Sequence, residues 1–205
     1  MTVEQRPVPP EDERWAPLTP VGAEVDARIK PLQEGALANR SAAVAGLARL
    51  RRGAGKPAGS VNEILQHTVS EKFAGPGAGD LATPGEVAAH VALTLYAVHQ
   101  QSQRKRMHRR GWGLGHSVRM LHPQEFEANP PPVLRRFQAL GTSQSTDELV
   151  HHLRGVVQLL RGQTIPLDYA LLADELVLWQ RPGGASTLRL RWGRAFYRTP
   201  RTTSP

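Results

Sequence analysis

The 205-residue chain contains no cysteine, which excludes disulfide staples, thiolate nucleophiles, zinc fingers and iron–sulfur clusters. It also lacks a long apolar run: residues 87–98 are interrupted by His90 and Thr94 and are too short to span a bilayer. The opening MTVEQRPVPPEDER has none of the basic-then-apolar layout of a secretion signal. These absences together predict a cytoplasmic protein that folds without covalent or metal staples.

The most telling absence is of acid. The stretch HQQSQRKRMHRRGWGLGHSVRML, from His99 to Leu121, holds six basic residues, Arg104, Lys105, Arg106, Arg109, Arg110 and Arg119, and no carboxylate. The flanking acids are Glu86 and Glu125. Such a run sets up a positive potential, and a polyanion that displaces its counterions gains affinity by their release. A solvated basic face kept for solubility is the plainer alternative.

Overall charge favours the first reading. The formal net charge is +8, from 26 Lys+Arg against 18 Asp+Glu, with a sequence pI near 10.7. Residues 1–40 carry five basic and seven acidic side chains, which leaves 21 basic against 11 acidic on residues 41–205. The body is therefore more basic than the average suggests.

Residues 1–36 hold six prolines and the run Glu11-Asp12-Glu13, and read as a proline-rich, acidic arm with Trp15 as a candidate anchor. The domain is expected over 37–200 and a short tail over 201–205. Helices are predicted over 37–52, ended by Gly53, and over 61–72. The intervening GAGKPAG is not a P-loop, which needs glycine where Leu50 stands and Ser or Thr where Pro57 stands. Thr83, Pro84 and Glu86 form a capping box that opens a strongly apolar, central helix carrying Val87, Val91, Leu95 and Val98.

Gly111, Gly113 and Gly115 make the middle of the basic segment a loop, without the strand and glycine spacing of a dinucleotide site. Short helices follow over 116–121 and 132–140. Ser145 or Thr146 caps a helix with the apolar stripe Leu149, Leu153, Val156 and Leu160 and the acid-free opposite face His151, Arg154, Gln158 and Arg161. Another helix is predicted over 166–179. Residues 188–197 fit a strand by the alternation Leu188, Leu190, Trp192 and a helix by Leu188, Trp192, Ala195, Phe196. Seven helices without a convincing sheet give an all-α, single-domain helical bundle with a basic glycine-containing loop.

The series LYAVHQQS, MHRRGWGLGHSVRML, RRFQAL, DELVHHLRGVVQLLR, IPLDYALLADELVLWQ and RWGRAFY resembles the CasB family, the small subunit of the type I-E CRISPR Cascade complex, over about residues 38–198. The resemblance implies an all-helical, non-catalytic subunit with no cofactor and no metal, present beside a second copy of itself and other Cascade subunits. It implies contacts to guide RNA, target heteroduplex and the displaced strand, and it favours helix over 188–197. Arg135, Arg136 and Arg154 fall in matching basic positions; Arg104, Lys105, Arg106, Arg109, Arg110 and Arg119 fall in the matching loop. Arg49, Arg51 and Arg52 are weaker candidates, and Arg189, Arg191, Arg194 and Arg198 are unranked. A subunit that holds an R-loop open needs phosphate contacts from helix faces and a mobile glycine loop and must not read bases. Trp112 suits either stacking on a base or burial.

Two rival classes suit a small basic chain. A metalloenzyme would need His108, His116 and His122 to converge, yet no acid accompanies them and no HExxH spacing occurs. His151 and His152 are adjacent on a helix and are expected on different sides of it, so they would not chelate one ion together. A sequence-specific helical DNA-binding regulator is the alternative among small basic proteins, separable by its preference for one duplex sequence.

Overall fold

The structure is a computed structural model that describes residues 17–121 and 132–197. The arm residues 1–16 with Trp15, the linker residue His122, and Arg198 with the tail lie outside the described residues. Among those described there are ten α-helices and one 3₁₀ turn, with a single isolated bridge between His108 and Leu167. The helices are α1 (Pro20–Leu37), α2 (Ser41–Gly53), α3 (Leu65–Thr68), α4 (Glu71–Ala74), α5 (Pro84–Gln100), α6 (Leu114–Arg119), α7 (Pro132–Thr142), α8 (Thr146–Gly162), α9 (Tyr169–Trp179) and α10 (Gly184–Tyr197).

Helix α5 is the axis. Its capping box is in place: Thr83 Oγ1 accepts the Glu86 amide at 3.3 Å, and Glu86 Oε2 accepts the Thr83 amide at 2.9 Å. From Ala88 to Gln100 every residue is buried, because α1, α2, α4, α8 and α9 pack around it. A helix enclosed on all sides needs mostly apolar side chains around its circumference, and the sequence supplies them, with the buried polar His90, Thr94, His99 and Gln100 each hydrogen-bonded.

Within the arm expected over 1–36, residues 20–36 are instead part of α1. Pro20 at the helix start loses no intrahelical bond, and Asp174 of α9 caps the turn, accepting the amides of Thr19 at 2.9 Å and Gly22 at 2.8 Å. Val25 and Ile29, one turn apart, are fully buried. Pro31 lies inside the helix and is tolerated because packing against α2, α5 and α9 outweighs the lost bond.

Other boundaries also shift. The helix expected over 37–52 starts at Ser41, after a turn in which Asn39 takes φ +53°, and Val44 on it stands 43% exposed. The span 61–72 is broken into the 3₁₀ turn Asn62–Ile64, α3 and α4. The helix expected from Pro166 begins at Tyr169, capped by Asp168 Oδ1 accepting the Leu171 amide at 3.0 Å.

Residues 184–197 resolve the strand–helix ambiguity as helix. Leu188, Trp192 and Phe196, at four-residue spacing, are buried, whereas Leu190 is 60% exposed. Gly115 of α6 lets α10 approach so closely that a Cβ there would sit 2.3 Å from the Trp192 carbonyl. Phe196 stacks on Phe137 of α7, and Trp192 on Trp179 of α9.

Candidate nucleic-acid interface

The basic segment after α5 is held in place rather than mobile. Gln100, at the end of α5, donates from Nε2 to the carbonyls of Gln103 at 3.2 Å and Lys105 at 3.0 Å, and accepts the Met107 amide at 3.1 Å. Gln33 of α1 grips the next residue from the other side: His108 N–H donates to its Oε1 at 2.9 Å, and its Nε2 donates to the His108 carbonyl at 3.2 Å. Two buried amides thus clamp the backbone while Arg104, Lys105 and Arg106 project as exposed side chains.

Much of the rest of the segment turns inward, although Arg109 itself is exposed. Trp112 is 5% exposed and packs edge-on against His116, with the Arg109 guanidinium 5.5 Å above its ring. Its burial excludes the base-stacking role. Arg110 is committed to the buried Asp168, which accepts from Arg110 Nε at 3.1 Å and from the Gly111 amide at 2.8 Å. Arg119, partly buried at the end of α6, also has an interaction of its own.

The remaining candidates meet on another surface. Arg135 and Arg136 are exposed on α7, and α7 packs against α8 so that Arg136 Nη1 lies over Gly155, 3.1 Å from where a Cβ would be. Arg154, next along α8, donates to the Ala54 carbonyl at 3.3 Å at the end of α2. Two turns further, about 10.5 Å at 1.5 Å per residue, Arg161 donates to Gln101 Oε1 at 3.2 Å. Gln103 in turn donates to the Arg161 carbonyl at 3.1 Å, tying the loop to the C-terminal end of α8. A strip therefore runs from Arg136 through Arg154 and Arg161 to the loop cations.

Sequence reasoning did not count Arg161 among the phosphate-binding residues and ranked Arg51 low. Arg51 lies beside Arg161: burial, then the Arg161 charge, lowers its pKa. The acid-free face of α8, read from spacing alone, was the signal for Arg161. Among the described residues, Arg51, Arg104, Lys105, Arg106, Arg135, Arg136, Arg154 and Arg161 have no carboxylate within ion-pairing distance. Arg52 does, pairing with Glu63 at 2.6 Å.

Three histidines, His90, His99 and His108, serve the interior. His108 lies 2.9 Å from Asp26 through Nε2 and accepts the Tyr169 amide at Nδ1 at 3.1 Å; the bond to Asp26 is the first cause of an Asp26 pKa lowered to about 2. His99 is fully buried, 2.8 Å from the Tyr169 hydroxyl, and burial drives its pKa down to about 3. His90 bonds the Gly53 carbonyl at 3.0 Å. His151 is exposed and His152 is partly buried, their rings meeting edge to face at 5.5 Å, with His152 Nε2 3.8 Å from Glu148. Among the described residues no group of three His, Asp or Glu side chains is arranged to hold a metal ion, and no helix is long and apolar enough to cross a membrane.

Comparison with known proteins agrees with this architecture. The profile of the CRISPR-associated protein Cse2 family matches residues 46–197. The crystal structure of CasB from Thermobifida fusca is 44% identical in sequence, covers 89% of this chain and 100% of its own, and superposes with a TM-score of 0.75. A CRISPR-associated protein of the Cse2 family from Thermus thermophilus shares the fold at 24% identity, covering 88% of this chain and 99% of its own, TM-score 0.64. So does M. ruber CasB at 22% identity, covering 85% and 92%, TM-score 0.58. No curated protein sequence matches the chain. The matched span, the identity to the Thermobifida fusca protein and the shared all-helical fold establish that the chain belongs to the Cse2 (CasB) family of CRISPR-associated proteins.

Proposed function

We propose that the chain is the non-catalytic small subunit of a type I-E Cascade complex, that it contacts guide RNA, target heteroduplex and displaced strand through phosphates, and that it stabilises the R-loop during antiviral defence in the cytoplasm. The observation that carries this reading is the carboxylate-free strip from Arg136 through Arg154 and Arg161 to Arg104, Lys105 and Arg106. Its cations stand on two packed helices, α7 and α8, and on a clamped loop, so a strand laid along them meets a preformed row of charges and loses little ordering entropy. R-loop formation exchanges one duplex for another at near balance, and backbone contacts of this kind are enough to tip it open. The strip offers no exposed aromatic for stacking and no helix end built to enter a groove, which suits backbone binding without base reading.

Arg109, Arg110 and Arg119 take supporting places in this proposal. Arg110 fixes the loop through Asp168, and Arg109 covers Trp112. Partners are guide RNA and target DNA, other Cascade subunits and a second copy of the chain. The residues assigned to phosphates are Arg104, Lys105, Arg106, Arg135, Arg136 and Arg154, joined by Arg51 and Arg161.

Binding by the isolated chain separates this reading from a sequence-specific regulator. Single-stranded oligonucleotides of unrelated sequence are expected to bind weakly and alike, with an affinity that falls steeply as salt is raised. A preference of about a thousandfold for one duplex sequence would establish the regulator instead.

A further inference from the structure

Away from the strip, the C-terminal half of α1 and the first turn of α2 enclose, with residues 66–67, an open groove of about 480 Å³. Its apolar lining includes Pro31, Leu32, Ala42 and Ala43. Among its lining residues there is no carboxylate, and three are basic or imidazole: Arg28, Arg40 and His67.

These groups differ in what already satisfies them. Arg28 is held by Glu24 at 2.9 Å and donates to the carbonyls of Gln66 at 3.1 Å and His67 at 2.6 Å. Arg40 is exposed and has no acidic partner among the described residues. The Nε2 atom of His67 and the Nε atom of nearby Arg49 are both buried with no hydrogen-bond partner. Burial, then the charges of Arg49 and Arg28, holds the His67 pKa below its ordinary value. Arg40 is also the N-cap of α2 and supplies no side-chain oxygen there, so the positive end of the helix adds to the local field. The groove is thus largely apolar in its lining, with Arg40 as a cation that has no acidic partner among the described residues, beside Arg28, which Glu24 already holds, and His67.

We infer that this groove is a docking site for an acidic segment of a protein partner, which seats an aliphatic side chain on Pro31, Leu32, Ala42 and Ala43 and brings a carboxylate to Arg40 and His67. Charge complementarity selects the carboxylate, and the aliphatic part of the lining selects a small aliphatic neighbour beside it. A nucleic acid strand fits less well, because that part carries no aromatic ring for a base and the cations gather at one place instead of tracking a backbone. The groove shares no residue with the basic strip, so the two surfaces can be occupied together. A carboxylate arriving there would favour the charged form of His67.

The test is a titration of the full-length chain, followed by amide NMR, with an acetylated peptide of sequence Glu-Asp-Leu-Ala-Leu-Asp-Glu and, separately, with oligothymidylate. The peptide should shift amides of the groove and raise the pH at which the His67 ring titrates. Ala42→Trp fills the groove from an exposed position, and Arg40→Glu reverses its charge without touching the core; each should weaken the peptide by about tenfold or more. Absence of peptide shifts in the wild-type chain, or peptide binding unchanged in both variants, would overturn the inference. So would oligothymidylate shifting the same amides with the same dependence on Ala42 and Arg40, which would make the groove a polyanion site.

Discussion

Arg104 and Arg110 stand six residues apart in one basic run and do different work. Arg104 is exposed with no carboxylate within reach among the described residues, whereas Arg110 is bonded to Asp168, which is 1% exposed and also caps α9. Removing Arg110 leaves a buried carboxylate short of a partner, so Arg110→Ala should lower stability by about 1–3 kcal/mol. Arg104→Ala should stay within about 0.5 kcal/mol of wild type. Chemical denaturation of the two variants checks the pair, and equal stabilities would show that the Asp168 bond does not hold the loop.

Glu175 gives the residue scale a pH signature. It is 2% exposed, its Oε2 has no hydrogen-bond partner, and burial pushes its pKa up to about 7 against the opposing influence of Trp192 and Arg191. The nearby Asp168 and Asp174 push the same way as burial. A folded-state pKa above the unfolded value means stability is greatest below about pH 4.5 for this group and is lost as pH rises through about 7. Glu175→Gln should remove that loss and gain on wild type by on the order of 1–3 kcal/mol at pH 8 relative to pH 5. A wild-type stability that does not fall relative to the variant over this range would place Glu175 in a wetter site than its burial indicates.

At the scale of elements, α1 and α8 show what a sequence makes legible. The stripe Leu149, Leu153, Val156 and Leu160 was readable because nothing interrupts its period, and all four are at most 1% exposed. Helix α1 has a comparable pattern in Val21, Val25, Ile29 and Ala36, but Pro20 precedes it and Pro31 interrupts it, and the two outweigh it in a local reading. What stabilises it is non-local: the cap comes from Asp174, more than 150 residues away in the chain. The same holds for the loop clamp, since neither Gln33 nor Gln100 announces in sequence that its amide will bind another segment's backbone. Legible parts of the interface were the acid-free runs, which depend on composition alone; hidden parts were the commitments of Arg110 and Trp112, which depend on Asp168 and on α6. Ile29→Ala should therefore cost about 2–5 kcal/mol, as should Leu153→Ala, each read as a lower denaturation midpoint at unchanged slope. A wild-type midpoint for Ile29→Ala would return residues 20–37 to the status of a loose arm.

For the whole molecule, the bundle around α5 is a scaffold that fixes cations from α2, α7, α8 and the loop after α5 in one strip. The arrangement explains why the body is more basic than the chain average, and why the surplus resides in side chains left without carboxylates. Phosphate binding of this kind shows itself in salt dependence, with the slope of log affinity against log salt becoming shallower by about one for each phosphate no longer neutralised. The decisive measurement is target-DNA binding by a reconstituted type I-E complex over a salt titration, with this chain omitted, with wild-type chain, and with Arg104, Lys105, Arg106, Arg154 and Arg161 changed together to Gln. Stable R-loops that need the wild-type chain, and that the variant supports only weakly and with a shallower salt slope, are the predicted result. Affinity and slope unchanged by the variant, or R-loops equally stable without the chain, would contradict the role assigned to the strip.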